Sequence, residues 1–226
     1  MIVHHLASVD GEIVFDVDPD VAGTCAGGTR VADDVTVDEV ALLARAMTYK
    51  FAAFEQRMGG AKAGIRPRLL DTHEEAMARY CEEIRPMVEA RRFLTATDLG
   101  TRPEDFVALA DPSAPPSVLD DVVDGVRLEQ LVTGRGVVAA AAAWFGDLER
   151  RTVAIEGFGS VGSGVAREVQ RRGGRVVAVS TIRGAVADGA GLDVGALLEA
   201  RDRHGDEFVE HLGLEVHRPS ELHRLP

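Results

Sequence analysis

The sequence predicts an α/β protein built in two parts, and three observations carry that reading. "TVAIE", the loop "EGFGSVGSGVA" (156–166), a helical stretch through "GVAREVQRRGG" and then "RVVAVS" follow one another as strand, glycine loop, helix and strand. Such a unit has parallel strands and a right-handed crossover. Thr-x-x-Glu tetrads at Thr36–Glu39, Thr72–Glu75 and Thr101–Glu104 each read as a capping box opening a helix. Short runs rich in β-formers, "EIVFDV" and "RFLTATDLG", lie among these helices. The expected division is an α/β domain over 1–125, a connecting helix over 126–149, and over 150–226 the N-terminal part of a doubly wound, Rossmann-type domain.

Along the chain, "AGGTR" (26–30) reads as a turn. From Thr36 the apolar residues Val40, Leu43, Ala44, Met47, Phe51 and Phe54 recur at helical spacing, so a helix runs to about Arg57. "MGGAKAGI" interrupts it as a glycine turn. The second capped helix is bent or stopped by Pro86, and "DPSAPPS" (111–117) reads as a loop or linker. "VTGRGVVAAAAAWFG" reads as a helix whose early glycines allow something to approach closely.

Composition excludes several classes of function. The chain has 226 residues and a net charge of −12, which argues against binding nucleic-acid phosphates or an anionic membrane surface. No apolar run reaches the length of a membrane span, and no basic-then-apolar leader is present. Cys25 and Cys81 lack metal-ligand spacing, as do the seven histidines, so reduced thiols, no metal and a cytoplasmic location are expected.

The spacing Gly157-x-Gly159-x-x-Gly162 suits a dinucleotide pyrophosphate. Gly157 permits the tight turn, Gly159 admits the phosphates to the backbone, and Gly162 lets helix and strand pack closely. With Phe158, Ser160 and Val161 this loop is the expected cofactor cradle, a structural βα turn being the alternative. The cofactor expected is NAD or NADP. The second strand ends at Ser180-Thr181-Ile182-Arg183 with no carboxylate for a ribose hydroxyl. Hydroxyls and a guanidinium there, Thr181 and Arg183 above all, lean the reading toward NADP, unless Arg183 simply faces solvent. In the first half, Lys50 closes "AMTYK" on an apolar helix and Lys62 lies among glycines in "GGAKAG". Tight packing there would desolvate the Lys62 amine and lower its pKa toward that of a useful base.

Taken together, "AGGTR", "AMTYK", "GGAKAGI", "TATDLGT", "VTGRGV" and "GFGSVG", in this order, resemble the Glu/Leu/Phe/Val dehydrogenase family of amino-acid dehydrogenases. The resemblance covers residues from about 11 to 200. It implies a substrate-binding and dimerisation domain before the dinucleotide-binding domain, a homo-oligomer, and reversible oxidative deamination of an L-amino acid to a 2-oxo acid and ammonia. By the same resemblance Lys50 binds the substrate α-carboxylate, with Gly27 and Gly28 lining that pocket. Lys62 activates water, Asp98 exchanges protons with the substrate nitrogen, and Thr133 approaches the nicotinamide from an interdomain cleft. Glutamate-specific members carry a lysine immediately before the "GG", where this chain has Ala26. A substrate γ-carboxylate would there enter unpaired, so the chain resembles the leucine, valine and phenylalanine members, with Met47 suited to an apolar pocket. The family's second domain also continues well past "EVHRPSELHRLP". The resemblance therefore implies a fragment of a longer enzyme or a shortened member. A catalytically inactive binding or oligomerisation subunit is the alternative reading.

Overall fold

The computed structural model describes residues 1–68, 71–110 and 117–225, and the chain divides into two compact units at residues 114/115. In the first unit five strands form one mixed sheet: β1 (Ile2–His5), β2 (Asp10–Phe15), β3 (Cys25–Val31), β4 (Gly59–Arg66) and β5 (Phe93–Thr97), in the order β1-β2-β4-β3-β5. β1 and β2 are antiparallel, as are β2 and β4, while β3 runs parallel to both β4 and β5. The two-residue period of a strand sorts the faces. Ile13, Phe15, Ala61, Ala63 and Ile65 join Met77, Tyr80, Cys81 and Ile84 of helix α3 (His73–Glu89) in one core, in which Phe15 and Phe93 meet edge-on at 5.8 Å. Val14, on the other face, packs with Val40 and Ala44 of helix α2 (Val37–Ala53). A one-turn helix, α1 (Pro19–Ala22), links β2 to β3.

Both stretches read as glycine turns are strands. "AGGTR" lies within β3, and "GGAKAG" lies within β4, buried almost throughout. The physical reason is interlayer distance rather than turn geometry. A Cβ on Gly60 would stand 2.0 Å from the Ala44 carbonyl oxygen and 2.4 Å from the Thr48 nitrogen. Without side chains at Gly60 and Gly64, α2 seats directly on the β4 backbone. Of the capping boxes, Thr72–Glu75 forms in both directions. Thr36 caps Glu39 N, but the Glu39 carboxylate goes to Arg30 instead. Thr101 caps nothing, because the following 3-10 helix (Pro103–Leu109) begins after Arg102 and the Thr101 hydroxyl is used by Asp98. α3 continues through Pro86 to Glu89. Residues 111–116 of the expected linker lie outside the described residues.

The second unit opens with a 3-10 turn (Val118–Asp120) and a small hairpin, β6 (Val122–Val123) and β7 (Val126–Arg127), leading into helix α4 (Leu128–Phe145). Strand β8 (Thr152–Ile155), helix α5 (Ser160–Arg171) and strand β9 (Arg175–Thr181) form the expected unit, with β8 and β9 parallel. The early glycine of α4 has its explanation here: a Cβ on Gly134 would lie 2.1 Å from the Gly164 carbonyl carbon, so α4 and α5 cross backbone to backbone. β10 (Gly184–Ala187) folds back antiparallel on β9, a hairpin absent from the sequence reading. Helix α6 (Val194–His204) and a 3-10 helix (Gly205–His211) then return to the core through Leu197, Leu198, Phe208 and Val209.

Candidate functional site

In the first unit, Lys62 occupies the stretch of β4 between Gly60 and Gly64, on the face that α2 covers, and is 6% exposed. A buried ammonium requires an anionic partner. Asp98, just beyond β5, supplies it, with Lys62 Nζ 2.9 Å from Asp98 Oδ2. The same oxygen accepts Arg30 Nε at 3.0 Å, and Arg30 is itself paired with Glu39. Burial works to raise the Asp98 pKa, but the Lys62 and then the Arg30 hydrogen bonds and charges outweigh it, holding the carboxyl below its ordinary range. The loop carrying Asp98 is fixed from below: Thr101 Oγ1 accepts Asp98 N at 2.8 Å and donates to the Thr29 carbonyl at 3.0 Å. The buried Thr29 hydroxyl in turn bonds the buried Tyr80 hydroxyl at 2.6 Å and the half-buried Thr95 hydroxyl at 2.7 Å. Gly28 faces this loop so closely that a Cβ there would lie 2.8 Å from the Thr97 carbonyl oxygen and 3.0 Å from Asp98 Cβ.

Of the residues expected in this half, Lys62 and Asp98 are in direct contact, and Gly27 and Gly28 lie in β3 alongside them. Met47 is half-buried on α2, and Lys50, in its last turn, is exposed with no ion pair among the described residues. Sequence reasoning missed Arg30, Glu39 and Thr101. Arg30 stands in plain view as the last residue of "AGGTR", whereas Glu39 and Thr101 read locally as helix caps.

In the second unit, Gly157 has φ +83° at the end of β8, and a Cβ on Gly157 or Gly159 would point into open space. Gly162 is confined, since a Cβ there would come 2.1 Å from the Gly157 carbonyl oxygen. Ser160 and Val161 open α5, whose first amides have no partner within the helix and present a positive dipole end. The loop is tied to β9, Gly157 N donating to Ser180 Oγ and Phe158 N to the Ser180 carbonyl. This geometry suits a pyrophosphate. The Phe158 side chain, however, is core, packed against Phe208 at 5.4 Å. The exposed Thr133 returns its hydroxyl to the Glu129 carbonyl within α4. Thr181 is buried and donates to the Asp206 carbonyl, and Arg183 is held by Glu210 at 3.1 Å and Glu207 at 3.9 Å. Carboxylates that the local sequence lacks are therefore brought to the end of β9 from the 205–211 helix. Among the described residues no cluster of histidine, cysteine, aspartate or glutamate could hold a metal ion, and no helix is long and apolar enough to cross a membrane.

An α/β unit in which buried Lys62 pairs with Asp98, followed by a glycine-loop βαβ unit, defines a two-part α/β protein with a Rossmann-type second unit. Residues 19–113 match "Glu/Leu/Phe/Val dehydrogenase, dimerisation domain" and residues 125–223 match "Glutamate/Leucine/Phenylalanine/Valine dehydrogenase", and the chain belongs to this family. It is 34% identical over 200 residues to glutamate dehydrogenase A2 of Halobacterium salinarum, covering 81% of this chain and 48% of that protein. It is 31% identical over 194 residues to the NAD-specific glutamate dehydrogenase A of the same organism, covering 78% of this chain and 45% of that one. The hetero-hexameric glutamate dehydrogenase of Thermus thermophilus, in a Leu-bound form, superposes with a TM-score of 0.69 at 28% identity, over 87% of this chain and 51% of that one. The chain thus spans about half the length of the relatives it matches. The expected fold, a dimerisation domain followed by a partial Rossmann domain, is the one observed.

Proposed function

We propose that the protein carries the substrate half and the adenosine-binding half of an amino-acid dehydrogenase, which converts an L-amino acid to a 2-oxo acid and ammonia. The observation that carries this reading is the ion pair between buried Lys62 and partly exposed Asp98 at 2.9 Å, set in the family's first domain. The glycine loop would hold a nicotinamide dinucleotide, NAD or NADP, which would supply a hydride acceptor. The substrate would lose its Cα–H as hydride and an N–H proton to a base, and the imine so formed would take up water and release ammonia. A cation at Lys50 would neutralise the α-carboxylate, Asp98 would exchange a proton with the substrate nitrogen, and Lys62, in its neutral amine form, would take the proton of the attacking water. Arg30, bonded to the same oxygen, would return Asp98 to its anionic form between such exchanges. Within the same reading Gly27 and Gly28 line the carboxylate pocket, Met47 its apolar side, and Thr133 the nicotinamide.

The relatives are named glutamate dehydrogenases, yet the position before Gly27 holds Ala26, which offers a γ-carboxylate no charge partner. Apolar amino acids are the substrates favoured on this ground. The hexameric neighbour supports self-association of this chain. Nuclear magnetic resonance titration tests the reading directly. ADP-ribose should shift the amides of residues 156–164, and L-leucine or L-valine should shift the Lys62 and Asp98 side-chain signals more than L-glutamate does. Ala26→Lys should reverse that amino-acid preference. In any form that turns over, Lys62→Ala should lower kcat by orders of magnitude while Asp98 keeps its Arg30 partner. No response to either ligand class would refute the assignment and favour a purely oligomeric role.

A further inference from the structure

The end of β9 carries a feature that the proposed reading leaves unused. The glycine loop and the 205–211 helix form one block: Phe158 packs on Phe208, Thr181 donates to the Asp206 carbonyl at 2.8 Å, and Arg183 N donates to Thr181 Oγ1 at 3.0 Å. In a βαβ dinucleotide unit the adenosine ribose is received at the end of the second strand. A carboxylate there accepts a 2′-hydroxyl, and a free arginine welcomes a 2′-phosphate. Here Arg183 is not free. Its Nε donates to Glu210 at 3.3 Å, and a terminal nitrogen lies 3.1 Å from Glu210 and 3.9 Å from Glu207.

We infer that Glu207 and Glu210, delivered by the 205–211 helix rather than by β9 itself, make this site select a 2′-hydroxyl nucleotide, and hence NAD over NADP, by occupying Arg183 and repelling a 2′-phosphate. The inference rests on the dinucleotide reading of the glycine loop and reverses the preference suggested by Arg183 in the sequence alone. The three side chains are roughly half exposed, so their pairing adds little to stability. Its consequence is local: a dianion arriving beside Arg183 must displace Glu210 and remain next to two carboxylates, whereas a neutral hydroxyl finds acceptors already in place.

Calorimetric titration of the 226-residue chain with ADP-ribose and with 2′-phospho-ADP-ribose tests this without needing turnover. The unphosphorylated probe should bind at least roughly tenfold more tightly, equivalent to about 1.4 kcal/mol. The double variant Glu207→Gln/Glu210→Gln frees Arg183 and should abolish or invert the ratio, while circular dichroism reports that it still folds. On the unaltered chain, raising salt should narrow the ratio by screening the repulsion. Equal or tighter binding of the 2′-phosphorylated probe by the unaltered chain overturns the inference and leaves the dinucleotide reading standing. Binding of neither probe overturns that reading, and the inference with it.

Discussion

Asp98 concentrates the chemistry of the first unit because one of its oxygens receives both Lys62 and Arg30. Replacing Asp98 by Asn leaves the buried Lys62 ammonium without an anion, and the chain should lose about 1–3 kcal/mol in denaturant unfolding. Thr101→Val removes the acceptor for Asp98 N and should cost less than that, since it leaves the charges in place. In the second unit Glu168 is paired with Arg171 and Arg172, and their hydrogen bonds, Arg171 first, outweigh burial and lower its pKa from 4.5 to about 2. A carboxyl depressed in the folded state contributes stability that is complete above its unfolded pKa. That contribution should fade as the pH falls from about 4.5 toward 2. Glu168→Gln should flatten this acid limb in melting experiments across that range. An unchanged limb would place the acid sensitivity elsewhere.

At the scale of elements, two backbone contacts set the layers: α2 on β4 at Gly60, and α4 on α5 at Gly134 and Gly164. Both are sterically closed, so added carbon cannot be absorbed by a side-chain rotation. Gly60→Ala should displace α2, carrying Thr48 and Lys50 with it, and destabilise the first unit by about 1–3 kcal/mol. Because α2 also holds Glu39 against Arg30, the same substitution should disturb the Asp98 signals seen by magnetic resonance. Gly134→Val should separate α4 from α5 at similar cost without touching the Lys62 pair. A silent Gly60→Ala would show that the two layers are not in contact as described.

For the whole molecule, charge and open sheet edges act in opposite directions. β1, with Ile2 and Val3 exposed, ends the first sheet, and β8 ends the second, each presenting backbone groups that no strand pairs among the described residues. Such edges invite association. A net charge of −12 on every copy resists it. Self-association at micromolar concentration should therefore strengthen as salt rises, which sedimentation velocity can follow. A monomer at every ionic strength would count against an oligomer.

The sequence by itself determined the parts that depend on local chemistry. The Thr72–Glu75 box opened a helix where its spacing required, and the strand–glycine loop–helix–strand run formed a parallel βαβ unit because Gly157 and Gly162 meet conformational and steric demands made within a few residues. Six short motifs in order sufficed to place the chain in its family. Tertiary structure decided what local rules mistook. The glycines of "AGGTR" and "GGAKAG" resemble turn residues in isolation, yet they are strand residues whose missing side chains admit a neighbouring backbone from far along the chain. Glu39 and Thr101 had two competing uses, and β3 supplied a partner each time: Arg30 for Glu39, and the Thr29 carbonyl, beside the local Asp98 amide, for Thr101. Arg183 reads as a free cation in its local sequence because Glu210 lies 27 residues further on, and only the packing of the 205–211 helix against the end of β9 brings the two charges together.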